Sequence, residues 1–143
     1  FDLSHNRKSD IIFEWDKALS FEGNTGPYLQ YTYARFSSIL RKIQNQRGFL
    51  KSQSLEKGER ALLVDVLRFP EAIQDSLKSW SPHVLAGYLY NLAGQANEFY
   101  HVYPVAQESD EQKKQLRTSL VILTAHTIKK GLYLLGIEAP EEM

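Results

Sequence analysis

Two phenols and a guanidinium stand at helical spacing in the stretch Thr25-Gly26-Pro27-Tyr28-Leu29-Gln30-Tyr31-Thr32-Tyr33-Ala34-Arg35. Tyr28, Tyr31 and Arg35 lie at i, i+3 and i+7, so a helix carries them on one narrow face. Leu29, Tyr33, Phe36, Leu40 and Ile43 recur at steps of four and three on another face, the spacing of a core stripe. Phenols and a guanidinium held together on a rigid helix can stack on a flat ring and bond to its edge or to a phosphate. That is what an unstacked RNA base requires. The same face can also serve packing, because tyrosines on helices bury their rings and keep a wet tip. On spacing alone packing has the stronger claim, and base recognition stays open.

Other chemistry is harder to place. Arg41, Lys42, Arg47, Lys51, Lys57 and Arg60 form the most basic region, against only Glu56 and Glu59. Arg41, Lys42, Arg47 and Lys51 are candidates for phosphate contacts, and a solvated helix end explains them equally well, since cations favour helix C-termini. The four histidines, His5, His83, His101 and His126, show no ligand spacing, and no metal site is expected. There is no Gly-rich phosphate loop, and no serine sits in a nucleophile elbow. The acidic residues are scattered on predicted solvent faces, so no catalytic constellation is expected within these residues.

These groups must be held by helices. Ser9 precedes Ile11, Ile12, Trp15 and Leu19, which predicts a short amphipathic helix, followed by a loop at 20–24. Thr25 or Gly26 as N-cap and Pro27 at the first helical position open the central helix, which is expected to run to about Gln46. Ala61, Leu62, Leu63, Val66 and Leu67 mark a third helix that stops before Pro70. Pro70 opens a fourth, with Ile73, Leu77 and Trp80 as its buried stripe. Ser81-Pro82 opens a fifth, with Leu85, Leu89, Leu92, Ala96, Phe99 and Tyr103 along one seam and Tyr100 just off it. Ser109-x-x-Gln112 reads as a capping box opening the last helix, with Leu116, Leu120, Leu123 and Leu134 in the core and Gly136 as C-cap. Residues 137–143 are expected to leave the bundle as an extended tail. The pattern is that of an all-α bundle of about six helices, without strand alternation or internal repeats.

Size and charge bound the rest. The chain has 143 residues, enough for one domain, with 17 basic and 17 acidic side chains. Zero net charge excludes the overall basicity of a self-sufficient nucleic-acid binder, so any RNA contact must rest on local patches or on another domain. The lack of cysteine removes disulfides and thiolate chemistry and suits a reducing cytosol. No run reaches membrane-span length, and Phe1-Asp2-Leu3-Ser4 has no signal-peptide layout. A first residue that is not Met predicts that the chain continues a longer one.

The run from Phe13-Glu14-Trp15-Asp16 through Gly23-Asn24-Thr25-Gly26-Pro27-Tyr28-Leu29-Gln30-Tyr31 to Arg35 resembles the junction of the catalytic and anticodon-binding domains of arginyl-tRNA synthetases. Tyr88-Leu89-Tyr90-Asn91-Leu92-Ala93, Asn97-Glu98-Phe99-Tyr100 and the end from Leu134 to Met143 resemble the rest of that family's C-terminal, DALR-type helical domain. The resemblance implies residues 1–24 as a connecting segment from a class I catalytic domain and residues 25–143 as the anticodon-binding domain. It implies arginine tRNA as partner, with the middle anticodon cytosine received by Tyr31, Arg35, Tyr100 and Met143 and with Tyr28 adjacent. It further implies a cytoplasmic parent enzyme that joins arginine to tRNA using ATP and Mg²⁺, a fragment that alone binds no cofactor and is not catalytic, and no membrane or DNA partner. Family members often carry a basic residue before the final Met, where this chain has Glu142. The alternative is a helical protein-interaction module whose tyrosine face docks on another protein or on the parent's catalytic domain.

Overall fold

Thr25 sets the start of the central helix. Its backbone is extended (φ −124°, ψ 156°) and its Oγ1 accepts the Tyr28 N–H at 3.3 Å, which makes Gly26 the first helical residue and Pro27 the second. The computed structural model describes residues 2–6, 8–10, 12–18, 23–43 and 54–143. A 3-10 turn at Asp2–Ser4 is followed by α1 (Trp15–Ala18), α2 (Gly26–Lys42), α3 (Lys57–Leu67), α4 (Phe69–Ser79), α5 (Pro82–Val102) and α6 (Glu111–Leu134). No strand occurs among the described residues, and the architecture is the all-α bundle the sequence predicts.

Among the described residues it has five substantial helices, because the first of the six expected is described only as the four-residue α1. Ile12, Phe13 and Trp15 are exposed, Ile12 by 84%, and the Phe13 and Trp15 rings meet edge-on with centroids 5.0 Å apart, so the described part of the apolar face predicted behind Ser9 stays largely open to solvent. An isolated single turn has little stability of its own, and the helix does not extend back to the Ser9 cap. Ile11 and Leu19 lie outside the described residues, as does Gln46 at the expected end of α2.

The long seams are as predicted. Leu29, Tyr33, Phe36 and Ile43 are buried on α2 and Leu40 is partly so, while α5 buries Leu85, Leu89, Leu92, Ala96 and Phe99. Each fully buried leucine or phenylalanine contributes about 1.5–3 kcal/mol relative to exposure. The helix α5 packs against α2, α3, α4, α6 and the N-terminal turn, and α6 packs against α2, α3 and α5. The centrality of α6 explains its burial around most of its circumference, including Thr118, Ser119, Thr124 and Thr127 beside Leu116, Leu120 and Val121. Gly131 lets α5 approach closely, since a Cβ there would lie 2.4 Å from a Leu89 methyl. The end of α6 is a Schellman turn: Gly136, at φ +73°, donates to Tyr133 O at 3.1 Å and Ile137 donates to Leu132 O at 2.9 Å.

Four local expectations are corrected. Asp110, not Ser109, caps α6, its Oδ1 accepting from the Gln112 and Lys113 N–H groups at 2.9 and 3.2 Å. The helix α3 begins earlier than its apolar run, at Lys57, through a capping box between Glu56 and Glu59. On α4, Ile73 is partly buried but Leu77 is exposed by 67% and Trp80 by 76%. The helix ends before its stripe is covered: Trp80 turns into the left-handed region (φ 51°, ψ 41°) as C-cap, and the residues meant for the core rim a shallow apolar groove with Leu134 and Leu135. Leu67 and Leu134 are likewise exposed, each at the last residue of its helix, where the packed neighbours run out.

Candidate nucleic-acid interface

The polar edge of α2 faces the last turns of α5, and their side chains meet. Arg35 donates from Nη1 to Asn97 Oδ1 and from Nη2 to Tyr31 Oη, both at 3.0 Å. Its guanidinium carbon stands 4.8 Å from the Tyr31 ring centroid and 6.0 Å from that of Tyr100, within cation–π range of both. Tyr31 and Tyr100 remain 42% and 38% exposed. Two aromatic rings 69 positions apart in the chain therefore flank one cation and stay open to solvent.

The tail completes the concavity instead of leaving the bundle. Ile137 and Ala139 pack against the core, Gln30 Nε2 donates to Glu138 O at 2.8 Å, and Arg41 Nη1 donates to Glu141 O at 3.3 Å. Arg41 also pairs with the Glu142 carboxylate at 3.4 Å, and Lys129 with that of Glu141 at 3.7 Å. A hydrogen bond to Tyr33 raises the pKa of the Lys129 ammonium, with the Glu141 charge adding to the effect and desolvation opposing it. The resulting cleft, of about 420 Å³, is lined by Tyr31, Ala34, Arg35, Ser38, Ile39, Arg41, Lys42, Tyr100, Glu141, Glu142 and Met143. It is open and polar, with an aromatic end and a charged end, a shape suited to a flat ring carrying a phosphate.

Six of the nine residues singled out from sequence, Tyr31, Arg35, Tyr100, Met143, Arg41 and Lys42, thus line one cleft. Tyr28 does not line it. Its ring packs on Tyr90 with centroids 5.4 Å apart, and its hydroxyl accepts from Asn97 Nδ2 at 3.1 Å. Arg47 and Lys51 lie outside the described residues. Lys57 and Arg60 line a different groove, beside Gln95 on α5. Among the described residues no cluster of His, Cys, Asp and Glu could hold a metal ion, and no helix is long and apolar enough to cross a membrane.

Sequence reasoning missed two polar centres. Asn97 bridges α5 to α2 at the cleft, a role that its place in the run Asn97-Glu98-Phe99-Tyr100 does not reveal. Arg117, 4% exposed, is buried in α6, where it reaches Glu59 Oε1 at 2.8 Å, Glu56 Oε1 at 3.3 Å, Glu108, and Pro104 O at 3.1 Å, and lies 5.2 Å from the Tyr103 ring. The sequence carries little signal for it: Arg117 is followed by the polar Thr118 and Ser119, and Glu59 stands between Gly58 and Arg60 in a polar helix start, so nothing local marks either as buried.

Comparison with known proteins agrees with this architecture. Residues 29–143 match the model of the DALR anticodon binding domain. The chain is 45% identical over 144 residues to the arginine–tRNA ligase of Vibrio parahaemolyticus, covering 99% of this chain and 25% of that protein. It is 47% identical over 146 residues to the arginine–tRNA ligase of Pasteurella multocida, covering 99% and 26%. The chain thus spans about a quarter of the length of these curated relatives. Among solved structures, Thermus thermophilus arginyl-tRNA synthetase superposes with a TM-score of 0.80 at 42% identity, over 92% of this chain and 23% of that one. Plasmodium falciparum arginyl-tRNA synthetase superposes at 0.83 with 30% identity, over 99% and 25%.

Proposed function

Because the chain belongs to the DALR anticodon-binding domain family and is similar to about a quarter of the length of arginyl-tRNA synthetases, we propose that its cleft receives the middle anticodon cytosine of arginine tRNA. The observation that carries this is the convergence of Tyr31, Arg35, Tyr100 and Met143, from α2, α5 and the tail, on one solvent-open cleft. A splayed loop base stacks on an aromatic face for about 1–3 kcal/mol, irrespective of its identity. Discrimination then comes from edge contacts: donors facing N3 and O2 of cytosine and acceptors facing its amine leave a buried mismatch with uracil. Arg41 and Lys42 at the charged end contact the RNA backbone, which positions without specifying, and Arg47 and Lys51 extend that role along the chain. Tyr28 braces the start of α2 behind the slot.

In the full-length protein this domain serves arginine–tRNA ligation by a cytoplasmic enzyme that consumes ATP with Mg²⁺, chemistry supplied by the preceding catalytic domain. Residues 1–24 connect the two domains. The exposure of Ile12, Phe13 and Trp15 favours a second, compatible role in which this segment docks on the catalytic domain.

The test is binding of an arginine-tRNA anticodon stem-loop against the same RNA with its middle C changed to U. A tenfold or greater preference for C is expected, about 1.4 kcal/mol or more. Equal affinity for the two would remove base recognition and leave the protein-docking module.

A further inference from the structure

Asn97 joins α5 to three side chains of α2. Its Oδ1 accepts from Arg35 Nη1 at 3.0 Å, and its Nδ2 donates to Tyr28 Oη at 3.1 Å and to Thr32 Oγ1 at 3.3 Å. The orientation of this amide has one solution. A guanidinium only donates, so the carbonyl oxygen must face Arg35 and the NH₂ must face the two hydroxyls. Thr32 complies because its own hydrogen goes to the Tyr28 carbonyl, 3.0 Å away.

The polarity propagates one step further. Arg35 Nη2 donates to Tyr31 Oη at 3.0 Å, so the phenol oxygen accepts on that side and its own hydrogen must point away from the guanidinium. Tyr31 is on the cleft wall and open to solvent, which leaves that hydrogen to a bound molecule or to water. Without Asn97 the guanidinium would lose its anchor on α5 and could swing toward the Tyr100 ring or the Glu142 carboxylate.

We infer that Asn97 is the positioning residue of the cleft: acting through Arg35, it holds the Tyr31 phenol as a hydrogen-bond donor toward the bound pyrimidine. This rests on the reading of the cleft as a base slot. Cytosine presents acceptors at N3 and O2, whereas uracil carries an N–H at N3, so a donor fixed toward N3 meets an acceptor in one base and another donor in the other. Asn97 itself does not line the cleft and touches no RNA; its effect is on the direction of a group that does.

Three readouts on the chain and its variants test it: rotation of the Arg35 guanidinium followed by ¹⁵N NMR without RNA, affinity for stem-loops with C or U at the middle position, and melting temperature. Asn97→Ala is expected to speed Arg35 rotation and to weaken the C-containing loop about tenfold while leaving the U-containing loop nearly unchanged. Asn97→Asp keeps an acceptor for Arg35, and the two hydroxyls can reverse to donate to it. It should therefore retain slow rotation and most of the preference, which separates positioning from a simple folding defect. Unchanged Arg35 rotation in Asn97→Ala, or an equal loss for both RNAs, overturns the role. If the unaltered chain itself fails to distinguish C from U while Asn97→Ala still frees Arg35, the base slot falls and the anchoring of Arg35 by Asn97 stands.

Discussion

Arg117 and Arg35 each tie two helices together beside a tyrosine, and they end in opposite states. Arg117 is buried and saturated: Glu59, Glu56 and Glu108 supply carboxylates, Pro104 a carbonyl, and Tyr103 a ring face. Arg35 is bound only to neutral groups, Asn97 and Tyr31, and no carboxylate among the described residues pairs with it. A guanidinium surrounded by carboxylates in a dry interior has nothing left to offer a ligand and serves the fold. One held by an amide and a phenol at an open edge keeps its charge available for an anion or a ring. The contrast teaches that the partner set of an arginine, more than its presence on a helix, separates an architectural role from a recognising one.

The comparison breaks most visibly at the buried end. Arg117→Ala strands the Glu59 carboxylate, which is 1% exposed, and is expected to cost about 3–5 kcal/mol of stability with a large drop in melting temperature. RNA affinity of the molecules that remain folded should be unaltered. Denaturant unfolding beside filter binding checks both halves. A near-normal melting temperature for Arg117→Ala would erase the distinction.

At the open end the signs reverse. Tyr31→Ala and Tyr100→Ala should each weaken binding of the anticodon stem-loop by about 1–3 kcal/mol, while the melting temperature stays close to that of the unaltered chain. A large stability loss in either variant would move that tyrosine to the side of Arg117.

A smaller effect concerns the tail. The Arg41–Glu142 pair is exposed on both sides, so breaking it should change stability by under about 1 kcal/mol. Glu142→Lys frees Arg41 and adds a cation at the charged end of the cleft, and is expected to raise RNA affinity and steepen its salt dependence by about one unit of log–log slope. Titration over a range of KCl concentrations reads this directly.

The smallest effect is in acid. The backbone N–H of Asp110 holds the Glu108 carboxyl below its ordinary range, helped by the charges of Arg117 and Lys113 and opposed by burial. Because its folded pKa lies below the unfolded one, Glu108 contributes stability above the ordinary carboxylate range, and that contribution is lost as pH falls through the lowered value. Thermal melts from neutral pH into acid should fall less steeply for Glu108→Gln than for the unaltered chain. No comparable difference is expected for Tyr31→Phe.

Much of the bundle was legible in advance because its signals are local. Thr25 with Pro27, and Ser81 with Pro82, announce helix starts through residues within one turn of each other, and the α5 seam from Leu85 to Phe99 repeats at helical spacing without interruption. The expectations that failed concern which faces find a neighbour. Leu77 and Trp80 carry the same periodicity as Leu89 and Leu92, yet no described residue covers them, while α6 is packed on three sides and buries Thr118, Thr124 and Thr127 as well as its leucines. Periodicity reports that a face could be buried, and only the arrangement of the other helices decides whether it is.

The candidate site divides along the same line. The sequence by itself determined the helix that carries Tyr31 and Arg35, the aromatic and cationic types available to it, and the absence of overall positive charge, since these depend on residue identity and on spacing within one turn or two. The tertiary structure alone decided that Tyr100 would stand across from them, that the tail would fold back through Gln30 and Arg41, that Tyr28 would turn to Asn97, and that Arg117 would be spent on the interior. Those contacts join residues tens of positions apart, and their free energy depends on helix packing that no local pattern encodes.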